Sequence, residues 1–377
     1  MDASTYRQLA PGELAPWFRQ RTTAKASYAF DLSGGRYIVL CFLATAGDAV
    51  GQAALGFVRE HRALFDDRRF SFYGLSSDPD DEARGRLVQS LPGVRHFLDF
   101  DGTAARLYGA LPEGSQGAGE AGTPGYRRMW VVLNPGLQVK AVLPFRPDGG
   151  DRQALRALLD ALPPVSHYGG IEMHAPVIII PDLLEPSVCE DLIGRYDRAG
   201  GTPSGFMREV DGRTVAVHDG RHKRRSDFTI EDDALRRLLQ QRVLQKVVPL
   251  ICKVHCFEVT RMERYLVGCY DAETGGHFAP HRDNSTRGTA HRRFALSVNL
   301  NDDFDGGELA FPEYGWRGYK VPAGGAIVFA GALLHTVSAV RRGRRYAFLP
   351  FLYDDAAAAV RESNNAYLAP GFGEYKA

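Results

Sequence analysis

Apolar runs of strand length alternate with helical patterns over the first 160 or so residues of the chain. Residues 37–43 are a continuous apolar run, as expected of a buried strand, and residues 70–75 predict the next strand. Between them, residues 53–65 carry apolar positions at helical spacing, and residues 152–162 repeat that spacing. Residues 128–143 contain two strand-like segments around a turn, which is typical of a hairpin. This succession predicts an α/β layered domain.

The second half of the chain has a different pattern, with short strand-like runs separated by turns. Residues 332–337 form an apolar run that predicts a strand, and the basic turn 341–344 leads into another strand. Residues 251–256 are apolar apart from Lys253 and His255, and we expect them to form a strand that enters the core. The basic segment 218–225 is predicted to be a solvated loop.

Four polar residues in this half form a pattern with chemical meaning. His281 and Asp283 are two residues apart, so on an extended strand their side chains point to the same face. With the distant His335 they supply two imidazoles and one carboxylate, the facial ligand set of non-haem Fe(II). Arg345 follows at the start of the next predicted strand, where its guanidinium could bind a carboxylate through two parallel hydrogen bonds.

Length and composition limit the classes of protein that the chain can represent. At 377 residues it exceeds what one core usually holds, so two domains are expected. A net charge of +1 argues against nucleic acid as an obligatory partner. The sequence has no apolar run of membrane-spanning length and no secretory leader pattern, so we predict a cytoplasmic protein. The cysteines are odd in number and lie in apolar segments, which predicts reduced structural thiols: Cys41, Cys189, Cys252, Cys256 and Cys269.

Residues 171–356 resemble the prolyl 4-hydroxylase branch of the Fe(II)/2-oxoglutarate-dependent dioxygenases. The segments that carry the resemblance are 269–284, 293–301, 306–309 and 335–348. Together they include the His-x-Asp pair, the middle of the core and the closing His and Arg motif. The fold that this resemblance implies is a double-stranded β-helix, a jelly roll with flanking helices.

The resemblance also implies roles for single residues. His281, Asp283 and His335 would bind iron, and Arg345 would bind the C5 carboxylate of 2-oxoglutarate. Arg344 is a weaker alternative to Arg345, because the residues that follow fit the family register better with Arg345.

Two further positions are expected near the co-substrate. Tyr270 falls where the family often places a tyrosine that contacts the co-substrate or the substrate, and Tyr265 is a rival for that role. Asn299 stands where some relatives carry a tyrosine that touches the co-substrate, and it could donate a hydrogen bond there.

The implied activity is hydroxylation of an unactivated C–H bond, of a prolyl residue or another peptide, amino-acid or small-molecule substrate, with release of succinate and CO₂. The implied cofactors are Fe(II) and 2-oxoglutarate as co-substrate, with ascorbate as an optional addition. Two alternatives stay open at this point. One is a cupin-like metal-dependent isomerase or lyase, and the other is a non-catalytic metal-binding scaffold.

The first part of the chain resembles a thioredoxin-fold peroxiredoxin through segments 11–18, 97–109 and 126–134. That family places its peroxide-attacking cysteine near the start of a helix, and here the position holds Gly51. The nearest thiol, Cys41, lies in an apolar strand, where burial should make it inert. We therefore expect a domain that keeps the fold without the chemistry. It would dock on the oxygenase domain or on a second copy of the chain, as in a homodimer.

These observations predict a domain order. Residues 1–165 form the thioredoxin-like domain, 166–174 a linker, 175–356 the dioxygenase domain and 357–377 a C-terminal tail. A glycine-rich stretch at 111–125 is expected to be a mobile loop of the first domain.

Overall fold

The computed structural model describes residues 5–115, 125–370 and 374–376. The chain divides into two compact units, the first made of Met1–His174 and Pro312–Trp316, the second of Ala175–Phe311 and Arg317–Ala377. Most of the predicted glycine-rich loop, residues 116–124, lies outside the described residues. Among the helices that the structure describes, none is long and apolar enough to cross a bilayer.

The first unit combines strands and helices in alternation. Its strands are β1 (Arg19–Thr22), β2 (Tyr28–Ala29), β3 (Tyr37–Ala44), β4 (Phe70–Ser76), β5 (Val94–Leu98), β6 (Met129–Leu133) and β7 (Val139–Pro144). Its α-helices are α1 (Ala49–Glu60), α2 (Pro79–Ala83), α3 (Thr103–Leu107) and α4 (Gly150–Ala161). Short 3-10 helices occupy Phe30–Ser33, Arg62–Leu64, Val165–His167 and Pro312–Tyr314.

The seven strands form one sheet in the order β2-β1-β5-β4-β3-β6-β7. β3, β4 and β5 are parallel, whereas β6 and β7 are antiparallel to their neighbours. Parallel strands need crossover connections, and α1 and α2 supply them. This is the α/β organisation that the sequence pattern predicts, while the likeness to a thioredoxin fold stays a prediction.

The central strand β3 is buried along its whole length because both faces of the sheet are covered. Ile38, Leu40 and Phe42 pack into one core with α3. Tyr37, Val39, Cys41 and Leu43 pack into a second core, with residues of α1 and α4. Alternate residues of a strand point to opposite faces, so a continuous apolar run is what a doubly covered strand requires.

The second unit is rich in short strands. These are β8 (Ile178–Ile180), β9 (Thr202–Pro203), β10 (Phe206–Val210), β11 (Arg213–Val217), β12 (Lys223–Arg224), β13 (Ser226–Thr229), β14 (Arg261–Glu263), β15 (Leu266–Asp271), β16 (His277–His281), β17 (Phe294–Asn299), β18 (Asp305–Gly306), β19 (Leu309–Ala310), β20 (Gly318–Tyr319), β21 (Ala326–Ala330), β22 (His335–Val337), β23 (Val340–Arg342), β24 (Arg344–Phe348) and β25 (Phe351–Tyr353). The α-helices are α5 (Pro186–Ala199), α6 (Asp233–Lys246), α7 (Val248–His255) and α8 (Asp355–Ser363), with 3-10 helices at Arg287–Thr289 and Asn364–Tyr367.

Two main sheets organise this unit, and the pairings between their strands are antiparallel. The larger has the order β14-β25-β17-β24-β15-β13-β9, with β21 and β8 added beside β17. The smaller has the order β12-β16-β22-β19-β20. A pair of antiparallel sheets with helices at one side fits the predicted jelly roll. The predicted C-terminal tail belongs to this unit, since Arg361 on α8 forms an ion pair of 3.0 Å with Glu263.

Helices α5, α6 and α7 cover one face of the larger sheet. Leu192, Leu239 and Ile251, one from each helix, pack against Val298 of β17 and Phe348 of β24. The prediction of a strand at residues 251–256 is therefore wrong, because Val248–His255 is helix α7. All five cysteines are free; the two of this segment, Cys252 and Cys256, are exposed, whereas Cys41, Cys189 and Cys269 are buried.

His96 gives the first unit a predicted dependence of stability on pH. The side chain is 2% exposed, its Nδ1 has no hydrogen-bond partner, and burial lowers its pKa to about 4. An unfolded histidine has a pKa near 6.5, so below that pH the unfolded state binds the extra proton. The free energy of unfolding of this unit should therefore fall as pH drops from 6.5 towards 4.

His96→Gln removes this titration, and the decline in stability between pH 7 and pH 4.5 should shrink by about 2 kcal/mol relative to the parent protein. Urea unfolding followed by tryptophan fluorescence measures it, because the three tryptophans all lie in the first unit: Trp17, Trp130 and Trp316. An equal pH dependence in both proteins would contradict the assignment.

Candidate metal and co-substrate site

Two neighbouring strands bring the predicted metal ligands together. His281 is the last residue of β16 and His335 the first of β22, and the two residues are direct partners in the antiparallel pairing. Asp283 lies just beyond β16, where its backbone N–H donates to the Gly331 carbonyl at 2.9 Å. One donor atom from each of His281, Asp283 and His335 lies within 4.8 Å of the others.

Hydrogen bonds orient both imidazoles for metal binding. Nδ1 of His281 lies 2.9 Å from the Ala279 carbonyl, and Nδ1 of His335 lies 2.9 Å from the Leu333 carbonyl. A carbonyl only accepts, so each Nδ1 carries the proton and each Nε2 keeps a free lone pair. The Nε2 atoms lie 3.7 Å and 3.3 Å from the two carboxylate oxygens of Asp283. This donor set fits a divalent metal such as Fe(II).

Aromatic side chains enclose the two histidines. The Phe278 ring stacks on His281 with 3.4 Å between centroids, and the Phe329 ring lies 4.6 Å from that of His335. Burial, together with the neighbouring His335, holds the pKa of His281 well below its usual value. The imidazole is therefore neutral at physiological pH, the form that binds a metal.

Strand alternation places the polar residues of the larger sheet on the face that points away from the helices. Tyr346 and Phe348 of β24 and Val298 of β17 belong to the helix-side core. Their sequence neighbours Arg345 and Asn299 must then point to the opposite face. By the same alternation, Arg345 and Tyr270 point to the face away from the helices, whereas their neighbours Arg344 and Cys269 point to the helix side.

Arg345 is the buried member of the arginine pair. Its exposed fraction is 3%, whereas the Arg344 side chain is 51% exposed and bonds to Asp271 at 2.8 Å. Arg345 donates to Asn299 Oδ1 at 3.1 Å and to Ser297 Oγ at 2.9 Å. Burial lowers the pKa of Arg345, and no carboxylate of the described residues lies within ion-pair distance of it. A buried cation that has only neutral partners is a ready site for an anion.

Asn299 has a different contact from the one that the sequence suggests. Its Oδ1 accepts from Arg345, and its Nδ2 donates to the Val321 carbonyl at 2.8 Å. Both ends of the amide are therefore engaged within the protein, and its geometry is that of a group which orients Arg345.

Tyr270 lies beside Arg345, and Tyr265 does not. Tyr270 of β15 is the direct partner of Arg345 on β24, and the Arg345 Cζ atom lies 5.4 Å from its ring centroid. Tyr265 packs against the helix-side core, and its ring lies under Arg236. The tyrosine next to the candidate carboxylate site is thus Tyr270.

The basic segment 218–225 is not wholly solvated, contrary to the prediction. Lys223 is 6% exposed and the Arg225 side chain 5% exposed. The Lys223 Nζ atom lies 4.9 Å from the Phe278 ring, which stacks on His281, and burial, followed by the charge of Arg225, lowers its pKa to about 6. Lys-x-Arg-x-Asp at 223–227 has the period of two that places these side chains on one face of a strand. That alternation was the signal available in the sequence.

The chain passes between the two sheets at Arg225. β12, which ends at Arg224, pairs with the metal-site strand β16, and β13, which starts at Ser226, pairs with β15. Arg225 Nη1 lies 3.4 Å from the Tyr270 hydroxyl. A line of contacts therefore runs from the histidines through Phe278, Lys223 and Arg225 to Tyr270 and Arg345.

Part of the second unit matches a known family model. Residues 265–353 match the model of the 2OG-Fe(II) oxygenase superfamily. That span contains the triad, Asn299, Tyr270 and Arg345. The predicted metal and co-substrate residues thus all lie within the segment that is similar to this superfamily.

Individual relatives are similar over parts of the chain. A PKHD-type hydroxylase of Pseudomonas fluorescens is 43% identical over 91 residues, which are 22% of this chain and 39% of the relative. Another from Xanthomonas axonopodis pv. citri is 29% identical over 180 residues, which are 45% of this chain and 74% of the relative. A solved prolyl hydroxylase from Trichoplax adhaerens, in complex with a hypoxia inducible factor peptide, is 18% identical with a TM-score of 0.40, covering 55% of this chain and 94% of its own.

Glycine occupies position 51 of the first unit, where the resemblance described above would place a cysteine. The backbone N–H of Gly51, in the first turn of α1, donates to the Asp48 carboxylate at 2.8 Å. A Cβ at Gly51 would lie 1.9 Å from the Thr45 carbonyl oxygen, so a side chain there requires the backbone to shift. Cys41 is fully buried, and burial raises the pKa of its thiol well above the usual value.

Iron binding tests the triad. His335→Ala should lose most of the Fe(II) that the parent protein retains after anaerobic reconstitution and gel filtration, because one of three ligands is gone. His277→Ala is the matched control, since His277 lies on β16 but outside the ligand group, and its Nε2 lies 3.2 Å from the Arg221 carbonyl. Full iron content together with full succinate production in His335→Ala would refute the assignment.

Peroxide consumption tests the first unit. The full-length, iron-free protein with Cys252 and Cys256 both replaced by serine should consume no hydrogen peroxide above the protein-free rate with a thiol reductant. These replacements remove the two exposed thiols, Cys41 is buried, and the first unit has no other cysteine. Cys41→Ser should behave like the parent protein. Thiol-dependent consumption that disappears in Cys41→Ser would overturn this interpretation.

Proposed function

We propose that the protein is an Fe(II)- and 2-oxoglutarate-dependent dioxygenase that hydroxylates an unactivated C–H bond and releases succinate and CO₂. The observation that carries the proposal is the buried guanidinium of Arg345, which has no carboxylate partner among the described residues and lies on the same sheet face as Tyr270. A dicarboxylate that chelates a metal at one end needs such a group at the other end.

Iron and 2-oxoglutarate, when bound, supply the oxidising chemistry that no side chain of the protein can provide. His281, Asp283 and His335 would take one face of the metal and leave the other positions open. Arg345 would bind the far carboxylate, with Asn299 and Ser297 orienting its guanidinium. Phe278, Phe311 and Phe329, all buried around the histidines, would exclude bulk water.

For the substrate we propose a prolyl residue or another peptide or amino-acid substrate. The support is the resemblance of residues 171–356 to prolyl 4-hydroxylases and the similarity to two PKHD-type hydroxylases. The chain spans 39% of one of these relatives and 74% of the other. Succinate release in a screen of proline-containing peptides and free amino acids identifies the substrate.

The alternative functions explain less of the site. A cupin-like isomerase or lyase uses a metal centre, but it has no need for a buried cation such as Arg345. A non-catalytic metal-binding scaffold would use the same oriented imidazoles, but it too has no need for a buried cation such as Arg345. Anaerobic addition of 2-oxoglutarate to the Fe(II) protein separates these functions. The dioxygenase should develop the visible charge-transfer band of an iron chelate, and the alternatives should not.

Arg345→Ala should raise the 2-oxoglutarate concentration needed for half-maximal succinate production and leave iron content unchanged. Loss of charge-assisted hydrogen bonds costs about 1.5–3 kcal/mol, which corresponds to a roughly 10- to 150-fold increase. Arg345→Lys should recover only part of the affinity, since lysine lacks the planar fork.

Arg344→Ala is the matched control, because Arg344 is exposed and bonds to Asp271. It should leave the 2-oxoglutarate dependence unchanged. A large effect of Arg344→Ala combined with none in Arg345→Ala would move the role to Arg344.

A further inference from the structure

A second buried guanidinium in the site, that of Arg225, has a full carboxylate partner. Arg225 Nε lies 2.6 Å from one oxygen of Asp227 and Nη2 lies 2.7 Å from the other, a bidentate pair. Ser204 Oγ donates to the same carboxylate at 2.6 Å and accepts from Lys223 Nζ at 2.7 Å. These contacts hold one edge of the Arg225 guanidinium in place.

The opposite edge of this guanidinium faces Tyr270. Arg225 Nη1 lies 3.4 Å from the Tyr270 hydroxyl oxygen. A guanidinium can only donate, so the tyrosine oxygen is the acceptor in this contact. The hydroxyl proton of Tyr270 then points elsewhere, and no acceptor for it exists among the residues that the structure describes.

Tyr270 lies between two cations of different kind. Arg225 Cζ is 5.7 Å from its ring centroid and Arg345 Cζ is 5.4 Å from it. Arg225 pairs with Asp227, whose carboxylate also lies 3.3 Å from Arg264 Nη2, whereas the partners of Arg345 among the described residues are neutral. Arg345 Nη1 also has no acceptor in the described part of the chain. An unused hydroxyl proton and an unused guanidinium N–H therefore belong to two residues that are direct cross-strand partners.

We propose that Arg225, held by Asp227, is a positioning residue that turns the hydroxyl proton of Tyr270 towards the carboxylate bound by Arg345. The inference rests on the proposed function, since that carboxylate is the far end of 2-oxoglutarate. Tyr270 and Arg345 would donate jointly to it. Arg225 would touch neither the co-substrate nor the metal, and its effect would pass entirely through Tyr270.

The experiment is a double-mutant cycle on the full-length Fe(II) protein, titrated anaerobically with 2-oxoglutarate and followed by the charge-transfer band. Arg225→Met and Tyr270→Phe should each raise the half-saturating concentration roughly 5- to 10-fold, the effect of one hydrogen bond. The double variant should show no further increase, because both changes remove the same contact. Succinate production at saturating 2-oxoglutarate should stay close to the parent rate in Arg225→Met.

Arg292→Met is the matched control. Arg292 is a largely buried arginine of the same unit that bonds to a buried carboxylate, that of Glu263, at 2.9 Å. It has no contact with Tyr270 among the described residues. Its replacement should leave the half-saturating concentration unchanged, which separates a specific effect of Arg225 from a general loss of packing.

The outcomes are distinguishable. If the parent protein develops no band with 2-oxoglutarate, the proposed function fails. If the parent protein develops the band and Arg225→Met has the same half-saturating 2-oxoglutarate concentration, the role proposed for Arg225 is wrong. It is also wrong if the increases caused by Arg225→Met and Tyr270→Phe multiply in the double variant. Arg225→Lys covers the case in which Arg225→Met does not fold. Lysine at this position keeps a donor but loses the bidentate fork. A half-saturating 2-oxoglutarate concentration that rises less than in Tyr270→Phe supports the inference, whereas an unchanged concentration overturns it.

Discussion

The antiparallel pairing of β16 with β22 is the interaction on which the candidate metal centre depends. It makes His281 and His335 direct neighbours although they are distant in sequence. Their Nδ1 atoms bond to carbonyls of their own segments, so the orientation of each ring follows from the backbone. A slip of one residue in either strand would turn its histidine to the opposite face of the sheet. The ligand set is thus a consequence of strand register.

The distribution of buried charge indicates which buried cation has no counter-charge within the described part of the protein. Removing a guanidinium from water costs several kcal/mol unless a counter-charge and hydrogen bonds compensate it. Arg225 has that compensation from Asp227, and the pKa of Asp227 is changed by the same pairing. Burial alone would raise the pKa of Asp227, yet the charge of Arg225 and its hydrogen bonds lower it to about 2. Among the described residues, Arg345 donates to the oxygens of Asn299 and Ser297 and has no carboxylate partner. The two guanidinium groups flank the same tyrosine, and in this part of the chain Arg345 is the one that lacks a counter-charge.

The features that strand periodicity controls could be predicted from the sequence. Alternation along β24 and β15 separates Arg345 from Arg344 and places Tyr270 on the polar face, and the apolar run of β3 indicates a sheet covered on both sides. Features that depend on contacts distant in sequence could not be predicted. The partner of Asn299 is the Val321 carbonyl, which no local pattern indicates.

Composition was misleading in two segments. Residues 218–225 have the charge of a solvated loop, yet Lys223 and Arg225 are buried because a hydrogen-bonded network satisfies them. Residues 251–256 have the composition of a strand, but Ile251 packs into the helix-side core as part of α7. Tertiary packing overrides local propensity in both cases.

The contacts of Asn299 bear on whether Tyr270 is needed as a hydrogen-bond donor to a carboxylate at Arg345. Where some relatives have a tyrosine that can reach the co-substrate, the shorter amide of Asn299 is engaged with Arg345 and the Val321 carbonyl. A further donor to a carboxylate bound at Arg345 is available on a neighbouring strand. Tyr270 is the direct cross-strand partner of Arg345, and its hydroxyl proton is unused within the described residues. Under the role proposed for Arg225, the orientation of Tyr270, and through it the Arg225–Asp227 pair, belongs to the same site.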